Sequence, residues 1–194
     1  MIQASSMMAG AVAMPLISEA RPKQVKLTIL HTNDTHSQVE PFAANDPKYP
    51  GMGGIGRRAE VIRKIRAEEK NILLFDSGDI YQGTPYFNIY GVSIEFKLMS
   101  ILQYDAATMG NHDFDIGLEG FLKNLPHAKF PFLCSNYDFN STILHGKTQP
   151  YKIFEKQGLK IGVFGVGVQL KGLVLEKQYR ETKYVDPIEI ANDR

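Results

Sequence analysis

Three times along this chain a short apolar run ends in a cluster of acidic, histidine or asparagine side chains, and no other feature narrows the fold as much. The first is Leu30-His31-Thr32-Asn33-Asp34-Thr35-His36, the second Leu74-Phe75-Asp76-Ser77-Gly78-Asp79, the third Met109-Gly110-Asn111-His112-Asp113-Phe114-Asp115. Helical patterns alternate with these runs. Arg57 to Lys70 sets Ala59, Ile62, Ile65 and Arg66 at helical spacing, the mark of an amphipathic helix. Ser93 is expected to cap a helix reaching about Leu102, and Gly117 to Asn124 reads as a short helix. Strands alternating with helices imply an α/β layer architecture. In open α/β sheets ligands bind outside the carboxyl ends of the strands, so Asp34, His36, Asp79, Asn111 and His112 are expected to meet.

The remaining elements are quieter. Val25 to Leu30 alternates and then stays apolar, a strand ending at His31; Ile72 to Phe75 is the fully apolar run of a buried strand. Ala106 to Met109 is a weaker strand candidate, and Pro131 to Cys134 reads as another buried strand. Tyr151 to Phe154 and Leu159 to Val166 flank Gln157-Gly158, a hairpin turn. Asp186 followed by Pro187 is a helix start, with seven residues left before Arg194. The chain is therefore expected to stop as an element begins.

Composition mainly excludes. The 194 residues carry 22 Lys plus Arg against 21 Asp plus Glu, a balance that argues against a nucleic-acid polymer as partner. With 43% hydrophobic residues the chain is no disordered tail, and its length fits one domain. No apolar run approaches the roughly 18 residues of a transmembrane helix. The lone Cys134 has no internal disulfide partner and reads as a small buried hydrophobe. Residues 1–22 differ from the rest. Met1 to Ala20 lacks Lys and Arg and holds a mildly apolar run from Met7 to Ile17, with small residues at Ser18 and Ala20. It is similar to the later part of a twin-arginine export signal, which predicts an exported or periplasmic protein. As a disordered extension it would leave the protein cytoplasmic. The domain proper is expected over 23–194.

Carboxylates and imidazoles suit Mn, Fe or Zn, and a bridging carboxylate lets two cations sit roughly 3.5–4 Å apart. Gly78 and Gly110 would let the backbone approach such cations where a Cβ would interfere. Each piece alone is weak, since an Asp after a strand is more often a turn or a helix cap. His112 alone reads as a hydrogen-bonded histidine. Three such clusters in order, each after a strand, are hard to explain as caps.

Asp-x-His, then Gly-Asp, then Gly-Asn-His-Asp resembles the metallophosphoesterase (calcineurin-like) signature. Asn33 to Ser37, Asp76 to Asp79 with Gln82-Gly83-Thr84, Gly110 to Asp115, and Phe132 to Tyr137 resemble its 5′-nucleotidase branch. The resemblance implies the first half of a four-layer α/β/β/α sandwich and two divalent metal ions, whether Mn, Zn, Fe, Mg or Ca. It makes Asp34 and His36 ligands of the first metal, Asp79 the bridge and Asn111 a ligand of the second. By it His112, with Asn111, contacts the substrate phosphate and assists the leaving group, and Asp115 orients the His112 imidazole. A metal-bound hydroxide is then the nucleophile, because coordination lowers the pKa of water toward neutrality. The implied reaction is hydrolysis of a phosphate ester or nucleotide. The alternatives are a 2′,3′-cyclic-nucleotide phosphodiesterase, a general phosphomonoesterase, a catalytically incompetent truncated chain, and one half of a complemented enzyme.

One departure matters. The family supplies further ligands from later histidines, including a Gly-His-x-His segment. After His112 this chain has only His127 and His145, both in polar stretches that read as surface loops. The first metal keeps Asp34, His36 and Asp79, the second only Asp79 and Asn111, and two protein ligands rarely hold a catalytic metal. A partner chain or a homo-oligomer covering the missing second half is therefore expected, over an exposed apolar sheet face. The family's base-binding C-terminal domain does not fit into this length.

Two further stretches invite functional readings. Gly51-Met52-Gly53-Gly54-Ile55-Gly56 fits a dinucleotide-binding fingerprint on paper, but a turn-rich loop stands where that fingerprint needs a strand. Arg57 and Arg58 beside it read as a solvated helix start, with a phosphate contact as the alternative. Tyr81, Tyr86, Phe87 and Tyr90 are expected to cover the sheet edge and pack the next helix, or else to wall a cleft.

Overall fold

In the computed structural model, which describes residues 24–193, the expected alternation forms one small parallel sheet. Strands β1 (Thr28–Thr32), β2 (Ile72–Asp76) and β3 (Ala106–Ala107) lie in that order, with Thr28 opposite Ile72, Thr32 opposite Asp76, and Asp76 opposite Ala107. Helix α1 (Ile55–Glu68) crosses over between the first two strands. Helices α2 (Pro85–Tyr90) and α3 (Ser93–Ile101) cross between the second and third. The parallel register brings all three strand ends to one edge.

The two faces of the sheet are covered differently. Leu30, Leu74 and Ala107 face the helices, where Phe96, Phe121, Phe130 and Phe132 form the centre of the main core. Ring centroids 4.9–5.8 Å apart join Phe96, Phe121 and Phe132 in edge-on and tilted pairs. All three are at most 1% exposed, and burying each is worth roughly 1.5–3 kcal/mol. Helix α4 (Gly117–Asn124) supplies Phe121 and Leu118. On the opposite face Leu73, Ala106 and Leu133 meet Phe154 of an antiparallel hairpin. That hairpin comprises β5 (Tyr151–Lys156) and β6 (Leu159–Phe164), closed by Gln157-Gly158 as the sequence predicts. The chain is thus layered as helices, sheet and hairpin.

The hairpin's outer face stays open. Tyr151, Ile153 and Phe164 point away from the sheet and are 40–58% exposed, and Ile29 of β1 is 53% exposed.

Some boundaries differ from expectation. Pro131 to Cys134 is buried but forms no continuous strand. Phe132 and Leu133 make single bridges, to Ala107 and Gln149, because the segment's bonds alternate, Pro131 and Leu133 to Ala107 and Phe132 and Cys134 to Gln149. Ser93 is the first residue of α3 and does not cap it; Val92 holds the cap position, and the Ser93 hydroxyl turns back to the Tyr90 carbonyl. Helix α1 starts two residues before Arg57, from Gly54 at φ 85°. Short strands β4 (Tyr137–Asp138) and β7 (Lys183–Tyr184) pair antiparallel around a four-residue helix, α5 (Glu176–Tyr179). Asp186 accepts the Ile188 amide at 2.7 Å and so starts α6 (Pro187–Asp193) as expected. The 1–22 segment, with the export signal expected there, lies outside the described residues. No helix among the described residues is long and apolar enough to cross a membrane.

Candidate metal centre

The loops after β1 and β2 interlock through their backbones. Asp34 donates to the Gly78 carbonyl, His36 to that of Asp79, and Ser37 to that of Ile80, at 2.9–3.1 Å. These bonds hold the first loop in an unusual shape. Asp34, His36, Ser37, Asp79 and Gln82 all have φ between 44° and 65°, a left-handed conformation that costs a non-glycine residue of order 1 kcal/mol or more. Such strain persists only where the surroundings over-determine it, and here it is gathered at the strand ends.

The result is a compact ligand set. One atom from each of Asp34, His36 and Asp79 lies within 4.8 Å of the other two. His36 Nε2 stands 3.6 Å from Asp34 Oδ1. Its Nδ1 faces the Tyr81 carbonyl at 3.0 Å, and that carbonyl fixes the tautomer so that Nε2 is the free lone pair. The Asn33 side-chain amide holds the second oxygen of Asp34. Two carboxylates and an imidazole lone pair at one point suit a divalent cation. The donor set therefore fits the implied metal.

The third loop approaches from above. The His112 amide donates to Asp79 Oδ1 at 2.9 Å, which places Asn111 and His112 beside Asp79. The His112 ring lies edge-on to that of His36, centroids 5.2 Å apart. Its Nδ1 is 2.9 Å from Asp115 Oδ2, and the Asp115 carbonyl accepts from Gln178 Nε2 at 2.5 Å. The structure thus brings together Asp34, His36, Asp79, Asn111, His112 and Asp115. His127 sits half-buried in a short 3-10 turn, and His145 is exposed with Nδ1 3.0 Å from Asn140 Oδ1. Neither belongs to the ligand cluster.

Asp113 is the residue the sequence reading passed over. It is fully buried, and its carboxylate accepts the amides of Asp79, Ile80 and Gly110 at 2.8–3.0 Å. Burial pushes its carboxyl well above the usual range, against the pull of those amides. Asp79 and Asp113 therefore cross, each side chain binding the other's loop. The loops also touch directly at Gly78 and Gly110, where a Cβ on Gly78 would lie 2.3 Å from the Gly110 nitrogen. A Cβ on Gly110 would lie 2.2 Å from Asp79 Oδ1. The glycines serve loop-to-loop contact, where the sequence reading had them make room for cations. A surplus of carboxylates over ligands was the available signal for Asp113.

Asp76 is the other surplus carboxylate. It accepts from the Thr32 hydroxyl at 2.5 Å and the Gly78 amide at 2.9 Å, and Thr32 continues to Tyr104 at 2.8 Å. Burial raises its carboxyl to about 6, against the pull of those two bonds. Because that value lies above the unfolded one, the folded metal-free chain holds the proton more tightly. Stability contributed by the neutral acid is complete below about pH 4 and lost as pH rises through about 6. At 1.4 kcal/mol per pH unit this amounts to about 3 kcal/mol. Urea unfolding between pH 4 and 7 should show the wild type falling relative to Asp76→Asn; parallel curves would refute the assignment.

The remaining expectations separate cleanly. Arg57 binds the Gly51 and Gly53 carbonyls, and Arg58 faces Tyr104 and Asp76. The glycine-rich loop is thus closed on itself, and no strand leads into it. Tyr81 is buried against Phe87, Phe96 and Phe121, the packing role expected. Tyr86 bonds Glu40, and Tyr90 is exposed. Cys134 is buried, and burial pushes its thiol up to about 12, which makes it inert.

A metal-fitting cluster at the carboxyl ends of a parallel sheet, backed by a His–Asp pair, agrees with what comparison with known proteins finds. Residues 27–189 match the calcineurin-like phosphoesterase family, and the chain belongs to that family. Calcineurin-like phosphoesterases bind divalent metals. The relatives are 5′-nucleotidases. The snake venom 5′-nucleotidase of Crotalus adamanteus is 44% identical over 147 residues, 72% of this chain and 25% of the relative. The NAD 5′-nucleotidase of Haemophilus influenzae is 34% identical over 98% of this chain and 32% of its own length. Among solved structures, the Haemophilus influenzae NAD nucleotidase superposes with a TM-score of 0.77 at 35% identity, covering 86% of this chain and 31% of that one. The 5′-nucleotidase precursor of Thermus thermophilus gives 0.78 at 32% identity, covering 86% and 33%. The α/β fold is therefore that of the N-terminal part of a metallophosphoesterase domain, and the chain spans about a quarter to a third of these relatives.

Proposed function

We propose that this chain carries the N-terminal half of the metal centre of a phosphoester hydrolase acting on nucleotides, as its relatives' names indicate for them. The convergence of Asp34, His36 and Asp79 beside the His112–Asp115 pair carries the reading. Asp34 and His36 would hold one divalent cation, and Asp79 together with Asn111 would serve a second. Cations bound there supply Lewis-acid stabilisation of phosphoryl charge and activation of water. The rest falls to the protein. In its doubly protonated form His112 binds the phosphate and, through Nε2–H, gives a proton to the departing ester oxygen, returning to the neutral ring with Nδ1–H retained. Asp115 accepts a hydrogen bond from Nδ1–H and so holds the ring orientation. Gln178 steadies Asp115 from the distant α5 segment.

Two protein ligands at the second cation are too few for a catalytic site. Further ligands would have to come from additional chain, and the relatives are about three times this length. Export, by the likeness of residues 1–20 to a signal, is part of the same reading; a venom enzyme among the relatives supports it. The test is Mn²⁺-dependent phosphate release from p-nitrophenyl phosphate and AMP. The 194-residue chain alone should be folded and inactive, and a form completed to the relatives' length should be active on both. Hydrolysis by the chain alone that Asp79→Asn abolishes would show that it needs no further ligands. A completed form that binds metal but cleaves neither ester would refute the reaction itself.

A further inference from the structure

Beneath the loops after β1 and β2, on the helix side of the sheet, Arg58, Tyr104, Thr32 and Asp76 form a row of polar side chains. Asp76 and Tyr104 are 3% and 4% exposed, and Thr32 joins them at the end of β1. Thr32 Oγ1 is 2.5 Å from Asp76 Oδ2 and 2.8 Å from the Tyr104 hydroxyl. The Arg58 guanidinium hydrogen-bonds Tyr104 from the far end. A guanidinium only donates, a carboxylate only accepts, and a hydroxyl has one proton to give. The Thr32 proton goes to Asp76, so Tyr104 donates to Thr32 and Arg58 to Tyr104. The order of donors is fixed from end to end, and it converges on Asp76.

Asp76 passes that hold to the ligand loops. Its other oxygen, Oδ1, accepts the Gly78 amide at 2.9 Å. The Gly78 carbonyl accepts the Asp34 amide at 3.0 Å, and the Ser77 amide donates to the Thr32 carbonyl at 2.8 Å. Gly78 immediately precedes Asp79, and Thr32 stands two residues before Asp34. The Thr32 side chain therefore joins the strand that leads to Asp34 to the loop that carries Asp79. Asp79 is left-handed, at φ 55°, and keeps that shape only while its surroundings hold it. Packing alone gives no reason for a hydroxyl at position 32, since valine has nearly the same shape and suits a strand as well. We propose that Thr32 and Tyr104 are positioning residues for the metal centre, acting through Asp76 to hold the Gly78–Asp79 loop against the Asp34 loop. The proposal rests on the metal-centre reading above.

The test is calorimetric titration of Mn²⁺ into the wild-type chain, Thr32→Val, Thr32→Ser, Tyr104→Phe and the double variant Thr32→Val/Tyr104→Phe. Amide hydrogen exchange of the metal-free proteins accompanies it. Valine removes the hydroxyl at similar volume; serine keeps it. Thr32→Val should bind Mn²⁺ about 10-fold more weakly, the lower end of what losing outer support costs a metal site. Thr32→Ser should bind as the wild type does. Tyr104→Phe should weaken binding less than Thr32→Val, and the double variant no more than Thr32→Val alone, because Tyr104 acts only through Thr32. The Gly78 amide of Thr32→Val should exchange faster relative to that of Leu74, whose acceptor Asp105 lies outside the row. Wild-type affinity in Thr32→Val, equal weakening by serine and valine, or additive losses in the double variant overturns the proposal. Should Thr32→Val fail to fold, unchanged affinity in Tyr104→Phe overturns it. A wild type that binds no Mn²⁺ refutes the metal centre instead, and exchange then judges the row of bonds. A faster Gly78 amide in Thr32→Val supports it, and an unchanged ratio to Leu74 overturns it.

Discussion

Asp79→Asn is expected to weaken Mn²⁺ binding by more than about 100-fold, beyond what loss of an outer-shell partner costs and beyond any other single change in the cluster. Asp79 is held on both sides. Oδ1 accepts the His112 amide, and the Gly110 backbone packs directly on it. That leaves the second oxygen and the shared charge for cations. Asparagine is isosteric and keeps the bond to His112 through its carbonyl oxygen, so the loops stay in place. Its NH₂ then points where a cation would sit. On the proposed reading a bridging carboxylate would serve both ions, whereas Asp34, whose side chain is 57% exposed, would serve one. Calorimetric titration of both variants checks the order, and unchanged Mn²⁺ affinity in Asp79→Asn would sink the bridging role.

His112→Ala should do the reverse, sparing metal affinity while lowering turnover by about 10²-fold or more, the usual scale for a positioned acid–base group. The separation follows from which atoms do what. The backbone amide of residue 112 binds Asp79, and alanine retains it. The imidazole, steered by Asp115 at 2.9 Å, is what alanine removes. The measurement pairs Mn²⁺ titration with steady-state kinetics in a preparation that releases phosphate. Undiminished turnover would remove His112 from the mechanism, and a parallel loss of metal affinity would make it a ligand.

Much of the site was legible because its ligand types follow strand ends. An apolar run places its last residue at the sheet edge, so Asp34, His36, Asp79 and His112 are located by counting from Leu30, Leu74 and Met109. Asp113 was not legible as a clasp, since two of its three partners are backbone amides 33 and 34 residues earlier in the chain. The Pro131 to Cys134 segment misled because burial does not reveal hydrogen-bonding partners. Its four residues divide theirs between Ala107 and Gln149.

By itself, then, the sequence determined the α/β alternation, the hairpin and the identity of the residues at the strand ends. These depend on local periodicity, turn chemistry and the direction of each strand. The tertiary structure alone decided which of the remaining carboxylates turn to backbone amides. Asp76, Asp79 and Asp113 are chemically identical. The parallel register and the contact of Gly78 with Gly110 bury Asp76 and Asp113 against amides and hydroxyls, while Asp79 is left half-exposed beside Asp34 and His36.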